Sequence, residues 1–452
     1  IIYGDIGTSP LYVLRAVVGD QPISEAVVLG ALSCIMWTLT LLTTVKYVML
    51  TLRADNRGEG GIFALYALVR KNARWLLVPA IVGGSALLAD GIITPPISVS
   101  SAVEGLRKVY PEIQTVPIVI LILTGLFSIQ HFGTKIVGNS FGPVMLGWFG
   151  MLAVLGIVWI APNPGVLRAV NPMYAFNMLF MLDNGFWILG AVFLCTTGAE
   201  ALYSDLGHCG RKNIQVSWVF VKLALILNYM GQGAWLLNRS GNILTTENPF
   251  YELMPSWFLV PGIVVATLAT IIASQALISG SFTLAVEAMR LSVLPKSKIV
   301  YPTVLKGQTY VPAVNFLLFI GCITVVLYFR DSSHMEAAYG LAITLTMLMT
   351  TLLFSNYLAR RRVPKAIVAL YLGVYLSIEG AFLGANLLKI HHGGWFTLLV
   401  ASGLATVMYL WNAGSRLKVA YTDYESLPQH LPALEALSRD QSVPKYATHL
   451  VY

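Results

Sequence analysis

Charge is scarce in this chain: only 11% of its 452 residues are Asp, Glu, Lys or Arg, against about a quarter in an ordinary soluble domain. Cysteine is scarcer still. Its four cysteines (Cys34, Cys195, Cys209, Cys322) show no CxxC spacing and lie in or beside apolar runs, which argues against a disulfide framework or zinc site and leaves them as small core residues. Neither GxxxxGKS/T nor HExxH occurs, so there is no P-loop to drive ATP hydrolysis and no zincin chemistry. The seven histidines scatter, mostly through loops and tail. Without a nucleophile or metal cluster an enzyme is excluded, and no cofactor is expected.

What is present is apolar. Hydrophobic residues make up 56% of the chain, and the mean hydropathy is +0.72. Stretches of about 20 such residues recur, each long enough to cross a hydrocarbon core of roughly 30 Å as a helix. Twelve spans are predicted, at 1–18, 25–51, 76–104, 115–132, 138–161, 184–207, 213–238, 256–290, 311–329, 333–359, 364–386 and 394–412. An all-α polytopic membrane protein in a lipid bilayer is the expectation. Trp148, Trp159, Trp187 and Trp257 read as interfacial anchors or core packing.

The net charge of +8 is a topology signal rather than a nucleic-acid footprint. With the N-terminus inside, cytoplasmic segments collect Arg53, Arg57, Arg70, Lys71, Arg74, Lys135, Lys212, Arg290, Lys306, Arg360, Arg361 and Arg362 among others. The opposite side keeps Arg107, Lys108, Arg168, Arg239, Arg330 and Lys389, a ratio of about 20 to 6. Both termini are therefore expected in the cytoplasm. Lys46 and Lys222 lie within reach of span ends and are expected to snorkel; Glu104, Asp205 and Glu287, also near ends, are expected to face water. The segment RADNRGEGGIFALYALVRKNA is expected to turn at Gly58, Gly60 and Gly61 and then lay an amphipathic helix along the membrane surface.

Composition shifts after Asn412, and residues 413–452 carry eight charges. They read as the start of a cytoplasmic C-terminal domain, with a short helix in YESLPQHLPALEAL, a strand in VPKYATHLVY, and a continuation beyond Tyr452. Ile1 is not a start methionine, so a short preceding piece is expected.

Residues 1–412 form the expected transporter domain. Spans one and six each place glycine and a carboxylate inside a crossing helix, in GDIGTSP and TTGAEALYSDLG, five spans apart. Paired interrupted helices point to inverted repeats with a substrate site between them. By fold analogy this is a LeuT-like inverted repeat of 5+5 helices, at about 1–161 and 184–359, with two extra helices at about 364–412.

Carboxylates inside a membrane helix cost about 2.5–3.5 kcal/mol each even on the mildest scale, so each is a candidate site residue. Asp5 lies beside Gly4, where Gly7 and Pro10 can break the helix and free backbone carbonyls. Tyr12 adds a hydroxyl. Asp90 sits mid-span in GGSALLADGIITPP. Glu200 follows Thr197 by three residues, so both share a face, with Tyr203 on the same stripe and Gly198 allowing local unwinding. Such oxygens suit a hard cation, and a carboxyl taken out of water holds its proton to higher pH and can carry one near neutrality. Tyr12, Thr197, Asp5, Gly4 and Tyr203 form the candidate cation-binding set, and Asp90, Glu200 and Asp5 the proton-coupling set.

The strings GDIGTSPLY, RADNRGEGGI, ITPPISVSSAVEGL, TGAEALYSDLGH, NYMGQGA, ASQALISGSF and AAYGLAIT resemble, in order and almost end to end, the KUP/HAK/KT potassium uptake permeases. The resemblance implies proton-coupled potassium uptake across a bacterial cytoplasmic membrane, with the family's acidic positions falling on Asp5, Asp90 and Glu200 and its potassium near Tyr12 and Thr197. It also implies a homodimer through the cytoplasmic domain and, for some relatives, inhibition by cyclic di-AMP. An amino-acid permease of the same fold and a potassium channel remain the alternatives.

Overall fold

The computed structural model describes residues 2–19, 21–71, 73–132, 135–182, 184–244, 247–301, 309–422, 427–440 and 442. Among them regular structure is helical, with only isolated bridges such as Pro22 with Ile243 and Val300 with Tyr310. Among the described residues ten helices are long and apolar enough to cross a membrane: Glu25–Arg53, Arg74–Lys108, Ser140–Ile160, Gly185–Ser204, Arg211–Leu237, Leu259–Arg290, Pro312–Phe329, Ser332–Arg360, Lys365–Leu387 and Gly394–Ala420. The two remaining predicted spans explain their own absence from that set. The fourth is a 15-residue helix, Thr115–Ile129, and the first is broken into Gly4–Thr8, Ser9–Leu11 and Val13–Val18. The spans are numbered one to twelve in chain order.

Close helix approach is made by small residues, as expected where lipid offers no contrast in hydrophobicity. A Cβ on Gly231 of the seventh span would stand 2.6 Å from the Cα of Gly156 on the fifth. A Cβ on Gly4 would stand 2.5 Å from the Cα of Ala273, so the first span's opening turn lies directly on the eighth. The third span packs against the eighth and the tenth and forms the spine of the bundle.

The doubled proline of the third span does not end its helix, which runs from Leu77 to Glu104. Pro95 and Pro96 lack the N–H groups that would bond the carbonyls of Gly91 and Ile92. The Cys322 thiol of the ninth span takes up both acceptors, at 3.9 Å from Gly91 O and 3.2 Å from Ile92 O. The second span changes winding instead: from Leu39 to Leu50 it is a π-helix, closed from i to i+5. Thr44 and Thr51 donate their hydroxyls five residues back, to Leu39 O at 2.9 Å and Lys46 O at 2.7 Å.

Three sequence expectations change. The helix after the glycine turn, Ile62–Val69, is not laid on a membrane surface: Ile62, Phe63, Leu65, Tyr66 and Val69 are buried against the third and tenth spans. Its seat is cut by Gly83 and Gly84, where added Cβ atoms would stand 2.1 Å from Ile62 and 2.3 Å from Phe63. Lys46 does not snorkel; it is fully buried and paired with Glu379 of the eleventh span. The twelfth helix continues past Asn412 to Ala420, because a helix needs no apolar residues to keep winding once it has left the bundle.

In the tail, YESLPQHLPALEAL yields the exposed helix Leu427–Arg439. VPKYATHLVY lies outside the described residues, as do Lys306 and the tail charges Asp423, Glu425 and Lys445.

Candidate functional site

The first span unwinds at Tyr12, whose φ of −134° and ψ of −24° depart from the helix. Breaking a helix orphans carbonyls, which inside a membrane must find donors. Five of them take a side-chain donor here. Thr8 donates to Asp5 O at 3.1 Å and Ser9 to Ile6 O at 2.7 Å. Trp148 of the fifth span donates to Gly7 O at 3.0 Å, Gln232 of the seventh to Pro10 O at 3.0 Å, and Asn248 to Leu11 O at 2.8 Å. Trp148 is therefore a fully buried strut of the break, not an interfacial anchor.

The sixth span breaks more sharply. Gly185–Val192 passes through the tight turn Phe193–Thr196 to an extended Thr197 (ψ 142°) and a left-handed Gly198 (φ +81°), and winding resumes over Ala199–Ser204. A side chain at Gly198 would be strained by its φ and would meet Asp5, with a Cβ 2.8 Å from Asp5 Cβ and 2.9 Å from its Oδ2. The two breaks thus touch. Across the contact the Tyr12 and Thr197 hydroxyls share a hydrogen bond of 3.4 Å.

A third element joins them. Tyr339 of the tenth span donates its hydroxyl to the Asp5 carboxylate, 2.8 Å from Oδ1 and 2.9 Å from Oδ2, and its ring stands edge-on to that of Tyr12 at 6.4 Å. All of these side chains are buried. Tyr12 also lines a cavity of about 580 Å³ with Glu104, Tyr251 and Glu336. Around its walls Arg107 pairs with Asp331 at 2.9 Å and Lys108 with Glu252 at 2.8 Å. Glu104, expected to face water, lines this cavity and accepts from Ser332 N at 2.8 Å and Oγ at 2.6 Å.

The other predicted residues lie at separate stations. Asp90 is buried in the third span and accepts from Thr94 at 2.9 Å. Glu200 accepts from the Tyr47 hydroxyl of the second span and from Thr350 of the tenth, the latter at 2.7 Å. Tyr203 donates to Ala54 O at 2.6 Å, which ties it to the glycine turn rather than to the Tyr12–Thr197 pair. The same turn fills the space beneath the sixth span, since a Cβ on Gly60 would lie 2.0 Å from Tyr203 O. Gly4 serves the contact with Ala273 described above.

Sequence reasoning missed Tyr339, Tyr47, Thr350 and Glu379. Glu379 carried a usable signal, being a carboxylate inside an apolar span. Tyr339 stood within AAYGLAIT, but a tyrosine or threonine in such a helix is unremarked until its partner is known. Among the described residues no three His, Cys, Asp or Glu side chains converge as metal ligands would. The oxygens gathered at the breaks are hydroxyls around one carboxylate, a set that suits a loosely held hard cation.

A polytopic helical bundle in which two interrupted crossings meet at such a group has the construction of a membrane transporter. The chain belongs to the potassium transporter family: residues 1–416 match the model of the K+ potassium transporter integral membrane domain. It is 59% identical over 458 aligned positions to the probable potassium transport system protein Kup of Flavobacterium psychrophilum, covering 100% of this chain and 70% of that protein. With the Clostridium perfringens protein of the same name the identity is 51% over 471 positions, covering 100% and 72%. A transporter, not an enzyme, is what these relationships define.

Proposed function

We propose that this protein takes up potassium together with protons by alternating access, holding the ion between the breaks of the first and sixth spans. The observation that carries this is the hydrogen bond between Thr197 and Tyr12, the latter lining the 580 Å³ cavity, with Asp5 packed against Gly198. By the distribution of Lys and Arg that cavity opens outward, and the Ala54 and Gly60 contacts with Tyr203 close the cytoplasmic side. Each capped carbonyl retains a second lone pair that a cation can use. Asp5, held by Tyr339, supplies charge; Tyr12 and Thr197 supply ligands; Asp90 and Glu200 exchange the proton.

Spans one to five and six to ten are read as inverted repeats, supported by the matching breaks in spans one and six. The amino-acid permease gains no support from the family relationship.

The test is rubidium uptake by the full-length transporter in reconstituted vesicles. Asp5→Asn and Glu200→Gln are expected to abolish uptake while the protein still folds and inserts. Wild-type rates in both variants would refute the site assignment.

A further inference from the structure

Outside the Tyr12–Thr197 group, a second set of buried ionisable side chains lies where the second, sixth, tenth and eleventh spans meet. The Lys46 ammonium bonds Glu379 and donates to Met347 O at 2.9 Å; Thr351 donates to the other oxygen of Glu379 at 2.8 Å. Both charged side chains are wholly shielded from solvent. The neighbours of these donors in sequence repeat the arrangement: Tyr47 follows Lys46 and donates to Glu200, while Thr350 precedes Thr351 and donates to the other oxygen of Glu200 at 2.7 Å. Adjacent residues on two spans therefore hold two carboxylates side by side.

The π-winding of Leu39–Leu50 helps to make this possible. More residues per turn fan successive side chains through a smaller angle, so 46 and 47 both face inward. The Lys46 ammonium also sits 4.7 Å from the centre of the Tyr47 ring. From the eleventh span the phenols of Tyr371 and Tyr375, 4.7 Å apart, complete the surroundings. Tyr375 donates to Leu41 O at 3.2 Å, and the Tyr371 hydroxyl is buried without a hydrogen-bond partner among the described residues.

One ammonium and two carboxylates in a dry pocket carry one net negative charge when all are ionised, and none when one carboxyl is protonated. Low polarizability of the surroundings favours the neutral form, so the pocket is built to hold one proton that can leave. We propose that Lys46 and Glu379 are positioning residues for proton coupling, forming a charge pair that sets when Glu200 takes up and gives back its proton. The inference rests on the symport reading above. On release the O–H bond of Glu200 breaks, its electron pair stays on the carboxylate, and the pocket passes from neutral to one negative charge. The eleventh span, outside the two repeats, then has a part in the transport cycle.

The pair makes opposite predictions for its two halves. In Glu379→Gln the ammonium loses its counter-charge and its field falls on Glu200, so the pH profile of rubidium uptake moves in the acid direction by about one unit, a tenfold change in proton concentration. In Lys46→Met the carboxylates face one another alone, and the profile moves in the alkaline direction by a similar amount. Lys46→Met/Glu379→Gln removes both charges and returns the profile to its wild-type position. Because either single variant can misfold, Thr351→Val provides a milder probe: it weakens only the ionised form of Glu379 and produces a smaller acid shift.

Uptake is measured from pH 5 to 9 on the full-length transporter in vesicles, with proton flux and rubidium binding in parallel. Shifts of opposite sign that cancel in the double variant uphold the proposal. Variants that change the maximal rate with the profile fixed, shift it in the same direction, or leave Thr351→Val unmoved overturn it and mark the pair as a structural brace. Rubidium uptake without proton flux in the wild type would instead sink the symport reading. The opposed shifts in rubidium binding would then still decide the charge link.

Discussion

Gly198 answers two constraints at once: a φ of +81° and a backbone pressed against Asp5. An alanine there meets both a left-handed strain of roughly 1–2 kcal/mol and a Cβ where the Asp5 side chain now stands. Gly198→Ala is expected to lower rubidium uptake at least about tenfold, that strain alone being worth about one decade. Measured rates per molecule of inserted protein check it. Tyr339 acts on the same carboxylate from the other side. Tyr339→Phe keeps the ring and removes the donor to both Asp5 oxygens, a charged hydrogen bond worth about 1.5–3 kcal/mol, so KM for rubidium should rise by about tenfold or more. An unchanged KM would show that Asp5 does not depend on it. Asp5, Gly198 and Glu200 were legible in the sequence because glycine and carboxylate are anomalous inside an apolar run. Tyr339, Tyr47 and Thr350 were not, because a hydroxyl becomes informative only once its acceptor is located in space.

At the scale of elements, the chain's apolar periodicity was a sufficient guide to the spans but not to their surroundings. Ile62–Val69 has the same pattern whether its buried face meets lipid or protein, and only the glycines at 83 and 84 say which. That difference is testable. Gly83→Leu places a branched side chain where the Ile62 terminus lies and should destabilise the docked helix by about 1–3 kcal/mol, as overpacking does. A lowered thermal unfolding midpoint in detergent, relieved by the companion Ile62→Ala, is the expected result. An unaltered midpoint would place the helix on the membrane surface after all. The accommodation of Pro95 and Pro96 was equally hidden, since it depends on a thiol more than 200 residues away in sequence.

For the molecule as a whole, the proposed symport has, at one proton per potassium, a consequence that single variants cannot reach. One proton carried with each potassium moves two charges, worth roughly 4.6 kcal/mol per 100 mV or about three decades of concentration ratio. Vesicles clamped at 100 mV, with no pH difference across them, should accumulate rubidium roughly two-thousandfold. A carrier of the ion alone stops near about fiftyfold. Ten of the twelve predicted spans, and the breaks in spans one and six, could be read from composition and spacing, whereas the place of the eleventh span could not. Nothing in its sequence says that Glu379 faces Lys46, because facing is a property of the packed bundle.

The carbonyls of Asp5, Ile6, Gly7, Pro10 and Leu11 each already accept a hydrogen bond from a side chain, three of them from Trp148, Gln232 and Asn248 on other parts of the fold. The interruption is therefore a preset hinge whose shape does not wait for cargo. Under the proposed site assignment an arriving ion finds the loop already arranged, and little of its binding free energy is lost to ordering.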